Sequence, residues 1–170
     1  HLKVYDIIAW GDFTKEKALE IAAAAEFFSD HPAARAIVAQ AGAQKIKFVP
    51  PAEFKEYPGR GITATYEGAD VLVGKTAFIQ ESGITFSAHE MSEITAVKNS
   101  GLNVTQVASG GKLIGFVALA DEVRPEARGA IQKLRQDGVS RFIMLTGDNE
   151  RVAERIAKET GIGEFHANML

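Results

Sequence analysis

The middle of the chain is a succession of short strand-forming runs, each ended by proline or glycine. The runs are Ile46–Val49, Glu53–Tyr57, Gly61–Tyr66 and Val71–Gly74, and the breaks are Pro50-Pro51, Pro58-Gly59 and Gly68. Proline cannot donate a backbone hydrogen bond and glycine readily adopts turn conformations, so both residues punctuate strands. Short runs separated in this way are typical of hairpins. The pattern therefore predicts an antiparallel sheet in this part of the chain.

Helices and further strands are predicted on both sides of these runs. Thr14 or Asp12 is the N-cap candidate of the first helix, Pro32 begins the second helix and Gly101 ends a later one. Gly110-Gly111 marks a hairpin turn. The predicted strands are Leu2–Ala9, Asn103–Ala108 and Lys112–Leu119, and the predicted helices are Lys15–Phe28, Pro32–Ala41, Thr76–Glu81 and Ala88–Asn99. We therefore predict an α+β fold in which helices flank an antiparallel sheet.

The sequence changes character after Leu119. It predicts a helix at Pro125–Gln136, a strand at Arg141–Leu145 and a helix at Arg151–Thr160. This order is half of a parallel α/β unit, and one strand cannot build a doubly wound sheet. We therefore divide the chain into a domain at residues 1–118 and an incomplete α/β segment, similar to a Rossmann fold, at residues 119–170.

Charge and composition exclude several classes of function. The formal net charge is −3, which leaves no excess of cations for binding nucleic acid or anionic membranes. The chain has no cysteine, so it has neither disulfides nor thiolate metal sites. Apolar runs such as Ile21–Ala25 are far shorter than the about 20 residues of a bilayer span. The four histidines are dispersed, and we expect no metal site among them.

Glu26 and His31 form the first candidate binding pair. On one continuous helix their five-residue spacing would point them in different directions. Pro32 starts a new helix, and the turn before it can bring His31 back beside the end of the first helix. A carboxylate and an imidazole suit a purine ring, through hydrogen bonds and stacking. In the alternative interpretation Glu26 lies on an exposed helix side and His31 fills a turn.

A second candidate site is the segment Met144–Asn149, where an apolar strand ends in Thr146-Gly147-Asp148 before a helix. The backbone N–H groups at a helix start favour phosphate, and the Thr146 hydroxyl can donate to a phosphoryl oxygen. Asp148 can ligate Mg²⁺, which prefers oxygen ligands. Alternatively, Asp148 or Asn149 only caps the following helix.

In chain order, four segments resemble the heavy-metal branch of the P-type ATPases. Ser29-Asp30-His31-Pro32 resembles the Ser-Glu-His-Pro signature of that branch, with Glu26 at the matching acidic position. Gly59-Arg60-Gly61 resembles its Gly-x-Gly loop. Asp121–Ala127 resembles the Asp-x-x-Arg-Pro-Glu-Ala segment, and Met144–Asn149 resembles Met-Leu-Thr-Gly-Asp-Asn. The resemblance covers nearly the whole chain. Thr146–Ala153 and Glu164–Asn168 look more like zinc, cadmium or lead exporters, and copper or cobalt exporters are the alternative.

The resemblance implies a nucleotide-binding domain followed by part of a phosphorylation domain, with ATP and Mg²⁺ as ligands. Glu26 and His31 would contact adenine. The rest of the implied pocket is Gly59, Gly61, Ile62, Gly74 and Lys75, where Lys75 replaces an asparagine of the family. Thr146, Gly147 and Asp148 would face the phosphorylated aspartate, and Asp121 would lie at the hinge between the two domains.

The resemblance also implies parts of a pump that are expected beyond this sequence. The phosphoacceptor motif Asp-Lys-Thr-Gly-Thr is expected before His1, and a lysine and the magnesium motif Gly-Asp-Gly-x-Asn-Asp after Leu170. The implied partners are the rest of the phosphorylation domain, the actuator and membrane domains, and the transported metal ion. We therefore expect a soluble piece on the cytoplasmic side of a membrane, which is inactive by itself.

Two other functions are open to the sequence. One is a soluble phosphohydrolase of the haloacid dehalogenase superfamily, which the residues after 119 also resemble. It would require an Asp-x-Asp or Asp-x-Thr nucleophile after a strand, and we expect no such nucleophile and no hydrolysis of a generic phosphoester by this chain. The other is a regulatory module in which the glycines are only turns, and it predicts no response to nucleotides.

Overall fold

The computed structural model describes residues 1–169, and an antiparallel sheet of six strands lies at the centre of the part it describes. The strands are β1 (Leu2–Ala9), β2 (Glu53–Tyr57), β3 (Gly61–Tyr66), β4 (Ala69–Gly74), β5 (Asn103–Ser109) and β6 (Lys112–Asp121). They lie in the order β1-β6-β5-β4-β3-β2, so β1 and β2 form the two edges. The predicted antiparallel sheet is confirmed, and its hairpins turn at the predicted glycines.

Two pairs of helices cover the two faces of the sheet. The helices are α1 (Lys15–Glu26), α2 (Pro32–Ala43), α3 (Thr76–Glu81) and α4 (Ala88–Asn99). Leu19 of α1 and Ile37 of α2 pack in one core with strand residues such as Val107. Ile79 of α3 and Ile94 of α4 belong to the other core. Successive strand residues point to opposite faces, so a strand such as β6 contributes to both cores.

The prediction of a strand at Ile46–Val49 is wrong. This segment follows α2 as irregular backbone and pairs with no strand among residues 1–169. Phe48 instead packs against Phe27 with ring centroids 5.9 Å apart. Pro50 and Pro51 supply no backbone N–H groups for a ladder. The apolar residues that predicted a strand here are used for side-chain packing, and the backbone of the segment is not paired in a ladder.

The residues after the sheet form a small α/β unit. It consists of α5 (Pro125–Gln136), β7 (Ile143–Leu145), α6 (Glu150–Thr160) and β8 (Glu164–His166). β7 and β8 pair in parallel, and β8 was not predicted because its three residues lie just after Gly161 and Gly163. Asn149 caps α6, since its side chain accepts from Val152 N at 3.1 Å. The α+β class with an appended incomplete α/β segment is confirmed.

The two parts of the chain meet near Asp121. β6 continues to that residue, and the Arg155 side chain on α6 donates to the Asp121 carbonyl oxygen at 3.3 Å. The division into residues 1–118 and 119–170 stays a prediction. No helix in residues 1–169 has the length and hydropathy needed to cross a bilayer.

Gln106 on β5 is fully buried, and neither its side-chain nitrogen nor its oxygen has a hydrogen-bond partner within residues 1–169. Burying an unpaired amide costs free energy that a leucine of similar size would not cost. We expect Gln106→Leu to raise the free energy of unfolding by about 1–2 kcal/mol. Urea denaturation of the two proteins measures this difference. A less stable variant would contradict it and would indicate that a buried water satisfies the amide.

Candidate functional site

A cleft of about 110 Å³ lies where the α1–α2 turn passes over one end of the sheet. It is lined by all seven residues that the resemblance assigned to the base and its pocket: Glu26, His31, Gly59, Gly61, Ile62, Gly74 and Lys75. These residues come from three separate parts of the sequence. The cleft is smaller than the roughly 300–1,000 Å³ of common ligand pockets. It therefore fits one ring system and leaves the remainder of a larger ligand outside.

Glu26 is the last residue of α1, and its side chain is buried rather than exposed. Only 7% of the residue is accessible to solvent. No hydrogen bond to its carboxyl group occurs among the residues that the structure describes. Burial, and to a lesser extent the negative charge of Glu56, raise the pKa of Glu26 to about 7. The alternative interpretation of Glu26 on an exposed helix side is thus wrong.

His31 stands at the N-cap of α2. Its Nδ1 atom accepts from the Ala33 backbone N–H at 3.2 Å, so the second ring nitrogen carries the proton in the neutral form. His31 therefore has a structural role in the turn, as the alternative interpretation held, and it also lines the cleft. The turn before Pro32 does bring His31 and Glu26 to one cavity.

The three glycines of the cleft have two different physical roles. Gly59 adopts φ +73° in the turn between β2 and β3, which favours glycine. Gly61 and Gly74 lie directly opposite each other on β3 and β4. A Cβ atom on Gly61 would lie 2.5 Å from the Val73 carbonyl oxygen and from Cδ1 of Phe78. These two glycines are therefore required for close packing of the strands and Phe78.

Two cations lie at the mouth of the cleft. Arg60 forms a salt bridge with Glu81 and lies 5.6 Å from the centre of the Phe78 ring. Lys75 is exposed, and within residues 1–169 it forms no salt bridge. The acidic side chains of Glu26 and Glu56 lie at the same cleft. The cleft thus combines carboxyl groups with a lysine that is available for an anion.

Sequence reasoning missed six residues of the lining: Ser29, Ala33, Glu56, Tyr57, Arg60 and Thr105. Ser29 Oγ donates to Glu56 Oε1 at 3.1 Å and accepts from His31 N at 3.3 Å. Ser29 and Arg60 could have been found, because both lie inside the quoted motifs. The register of β2 against β3 places Glu56 at the cleft, since Glu56 pairs with Ile62.

The remaining candidate residues lie outside this cleft. Thr146 Oγ1 donates to Asp148 Oδ2 at 2.9 Å and accepts from Asp148 N at 3.1 Å, in the loop after β7. Gly147 is between them, and a Cβ atom there would lie 3.3 Å from the Met169 carbonyl oxygen. Asp121 ends β6 and lines a different groove, between β1 and α2. The structure therefore does not bring these four residues to the candidate base site.

Comparison with known proteins shows the family of the chain. The model of haloacid dehalogenase-like hydrolases matches residues 3–169. A copper-transporting P-type ATPase of Rhizobium leguminosarum bv. viciae is 38% identical over 169 residues, which are 99% of this chain and 20% of that protein. The chain thus spans about a fifth of the length of this relative.

Solved structures of P-type ATPases are also similar to this chain. A crystal structure of a zinc-transporting PIB-type ATPase is 30% identical with a TM-score of 0.85, over 99% of this chain and 27% of that one. The catalytic domain of the CPx-ATPase CopB-B, studied for conformational changes upon nucleotide binding, is 25% identical with a TM-score of 0.62, over 99% of this chain and 55% of that one. The predicted resemblance to heavy-metal P-type ATPases is confirmed. The preference for zinc, cadmium or lead exporters stays a prediction, because the similar proteins include a copper and a zinc transporter.

Proposed function

The chain belongs to the haloacid dehalogenase-like hydrolase family, and from this premise we propose that it is the ATP-binding part of a heavy-metal-transporting P-type ATPase. Residues 1–118 would bind the nucleotide and residues 119–170 would form part of the phosphorylation domain. The single observation that carries the proposal is the cleft that collects Glu26, His31 and the glycines from separate segments. A copper-transporting P-type ATPase that is 38% identical across the chain supports it.

The geometry suggests how ATP would bind. A cleft that fits one ring would take the adenine base, with Glu26 at its edge and the imidazole of His31 against its face. The ribose and phosphates would extend past the mouth, where Lys75 offers a positive charge in place of the family's asparagine. In the whole pump, domain closure would bring the terminal phosphate to an aspartate outside this sequence, and in-line transfer would drive metal export on the membrane's cytoplasmic side.

We propose that Asp148 would supply part of a magnesium site. Asp148 exposes a carboxylate beside Thr146, and Mg²⁺ is commonly held by one or two carboxylates together with phosphate oxygens and waters. No group of three His, Asp or Glu side chains in the described residues is arranged around a metal position. Asp148 therefore fits as one ligand of a shared site. When bound, the ion would neutralise charge on the transferred phosphoryl group, while Thr146 and Gly147 would orient it.

An independent phosphohydrolase is less well supported. The expectation that no Asp-x-Thr follows a strand is wrong as to spacing, because Asp12-Phe13-Thr14 follows β1. However, β1 is an antiparallel edge strand. Thr14 Oγ1 is used to cap α1, because it accepts from Lys17 N at 3.1 Å. Nucleophiles in open α/β folds instead follow parallel strands at the ligand crevice. We therefore place no nucleophile at Asp12.

ATP titration of ¹⁵N-labelled protein tests the proposal. We expect shifts around Glu26, His31 and Gly61, and we expect His31→Ala to weaken binding about tenfold, since stacking on a base contributes about 1–3 kcal/mol. His31→Asn is the matched control, because asparagine still caps α2 but cannot stack in the same way. Weak ATP binding by both variants would show that the lost affinity comes from removing the imidazole ring. Shifts absent from all three residues, or normal binding by His31→Asn, would count against the proposed contact.

A further inference from the structure

Four aromatic rings form an exposed patch at the β2 edge of the sheet. Phe27 and Phe28 directly follow α1 and are 44% and 56% exposed. The centroid of the Phe28 ring lies 5.2 Å from that of Phe27 and 5.9 Å from that of Phe54 on β2. Phe48 extends the patch, with its centroid 5.9 Å from that of Phe27. Large apolar groups that cluster on a surface mark a site of interaction, because burying them removes apolar area from water.

β2 offers an open strand edge next to this aromatic patch. It is the last strand of the sheet and pairs with β3 alone within residues 1–169. The backbone groups on its outer side have no backbone hydrogen-bond partner among the described residues. Such a row of free N–H and C=O groups is a template for pairing with a further strand. Pro51 and Pro58 flank β2, so the added pairing is limited to residues 52–57.

The charges on β2 restrict which strand can pair there. Glu53 and Lys55 are exposed on one face of the strand, and Phe54 lies on the opposite face. Neither charged residue forms a salt bridge within residues 1–169. Charged side chains on an edge strand commonly prevent pairing. Here the two charges have opposite signs and are two residues apart, so β2 can complement a second β2 that runs antiparallel to it.

We propose that β2 is a self-association surface, on which a second copy of this chain pairs antiparallel about a two-fold axis at Phe54. In this register Glu53 lies opposite Lys55 of the second copy, and Lys55 lies opposite Glu53 of the second copy. The two Phe54 side chains face each other on the other face, each with Phe28 beside it. Opposite charges and aromatic rings are cross-strand pairs that stabilise a sheet. The interface is self-complementary, as a two-fold dimer requires.

Other registers are less favourable, and the dimer is expected to be weak. A two-fold axis at Lys55 would place the two lysines directly opposite each other, which destabilises pairing. One short strand and one aromatic pair bury less area than a permanent dimer does, so the dimer should form only at high protein concentration. The inference goes beyond the proposed function and does not depend on nucleotide binding.

Analytical ultracentrifugation of charge-reversed variants tests the inference. The average mass of the wild-type protein should rise towards that of a dimer between about 10 µM and about 1 mM. Lys55→Glu creates two like-charge pairs and should raise the dimer dissociation constant at least about tenfold. Combining it with Glu53→Lys restores both opposite-charge pairs and should return the constant to within about threefold of wild type. Lys112→Glu is the matched control, because Lys112 is exposed at the start of β6, away from this edge.

Disulfide cross-linking tests the register, since the chain has no cysteine of its own. Residues directly opposite each other in an antiparallel pair have Cα atoms about 4.5–5.5 Å apart, within reach of a disulfide. Phe54→Cys should therefore give a covalent dimer on oxidation. Lys55→Cys should not, because the two copies of position 55 would be diagonal neighbours about 7–8 Å apart.

Three results would overturn the inference. They are a wild-type protein that stays monomeric at about 1 mM, a double charge reversal that associates as weakly as Lys55→Glu alone, and cross-linking through position 55 in place of position 54. ATP binding by a monomeric protein would leave the proposed function intact. Dimers that bind no ATP would count against the proposed function and leave this inference standing.

Discussion

Glu26→Gln raises the free energy of unfolding by about 3 kcal/mol above about pH 8, in the absence of any ligand. The physical reason is that burial and the charge of Glu56 raise the pKa of this carboxyl from 4.5 to about 7. Each unit of pKa change corresponds to about 1.36 kcal/mol, so this rise in pKa corresponds to about 3 kcal/mol of unfolding free energy. Glutamine has a similar shape and carries no charge, so the variant avoids the cost of burying a carboxylate.

The sign of the pH dependence follows from proton binding. The folded protein holds the Glu26 proton more tightly than the unfolded chain does. Between about pH 4.5 and pH 7 the unfolded chain has lost this proton and the folded protein retains it, so wild-type stability falls as pH rises through that window. Below the window both forms are uncharged, and the advantage of the variant vanishes. Urea denaturation near pH 4.5 and near pH 8.5 gives the two values.

Glu53→Gln provides the control for this experiment. Glu53 lies on β2 and is exposed, so its replacement should change stability by less than about 0.5 kcal/mol at either pH. A Glu26→Gln variant that is equally stabilised at both pH values would show that the effect is not electrostatic. A variant destabilised at high pH would show that the carboxylate has a stabilising partner.

The cleft could be predicted from the sequence to the extent that its residues lie at breaks in the chain. Pro32 indicated that His31 turns back towards α1, and the Pro58-Gly59 pair indicated the β2–β3 hairpin. These are local signals, because proline and glycine restrict the backbone of their own neighbours. The geometry around them is confirmed, whereas the assignment of these residues to nucleotide binding stays a prediction.

Other features of the cleft depend on distant partners and could not be predicted. Glu56 lines the cavity because register places it opposite Ile62, and sequence pattern alone did not fix that register. The burial of Glu26 depends on how α1 meets the sheet, and a charged residue at a helix end is ordinarily solvated. The strand predicted at Ile46–Val49 is wrong for the same reason, since strand propensity does not say whether a neighbouring strand is available for pairing.

Gly74→Ala is expected to lower the free energy of unfolding by about 3 kcal/mol, at the upper end for overpacking, and the Tm by about 10 °C. The new Cβ atom would lie 2.6 Å from the Arg60 carbonyl oxygen and 2.7 Å from Cα of Gly61, both of which are backbone atoms. Neither can move away without opening the pairing of β3 with β4. Phe78 closes the remaining side, with Cδ1 at 2.9 Å. Thermal and urea denaturation measure the loss.

The same substitution should also weaken ATP binding at least tenfold at temperatures where the variant is folded, because it displaces the wall of the cleft formed by Arg60 and Gly61. Gly42→Ala is the matched control. Gly42 lies inside α2 with no other heavy atom within 4 Å of the added Cβ, so alanine there should stabilise the protein by about 0.5–1 kcal/mol. Opposite signs for the two substitutions would separate close packing from helix propensity. If Gly74→Ala proved as stable as wild type, the strand contact at Gly61 would be deformable, and the cleft could not owe its shape to these glycines.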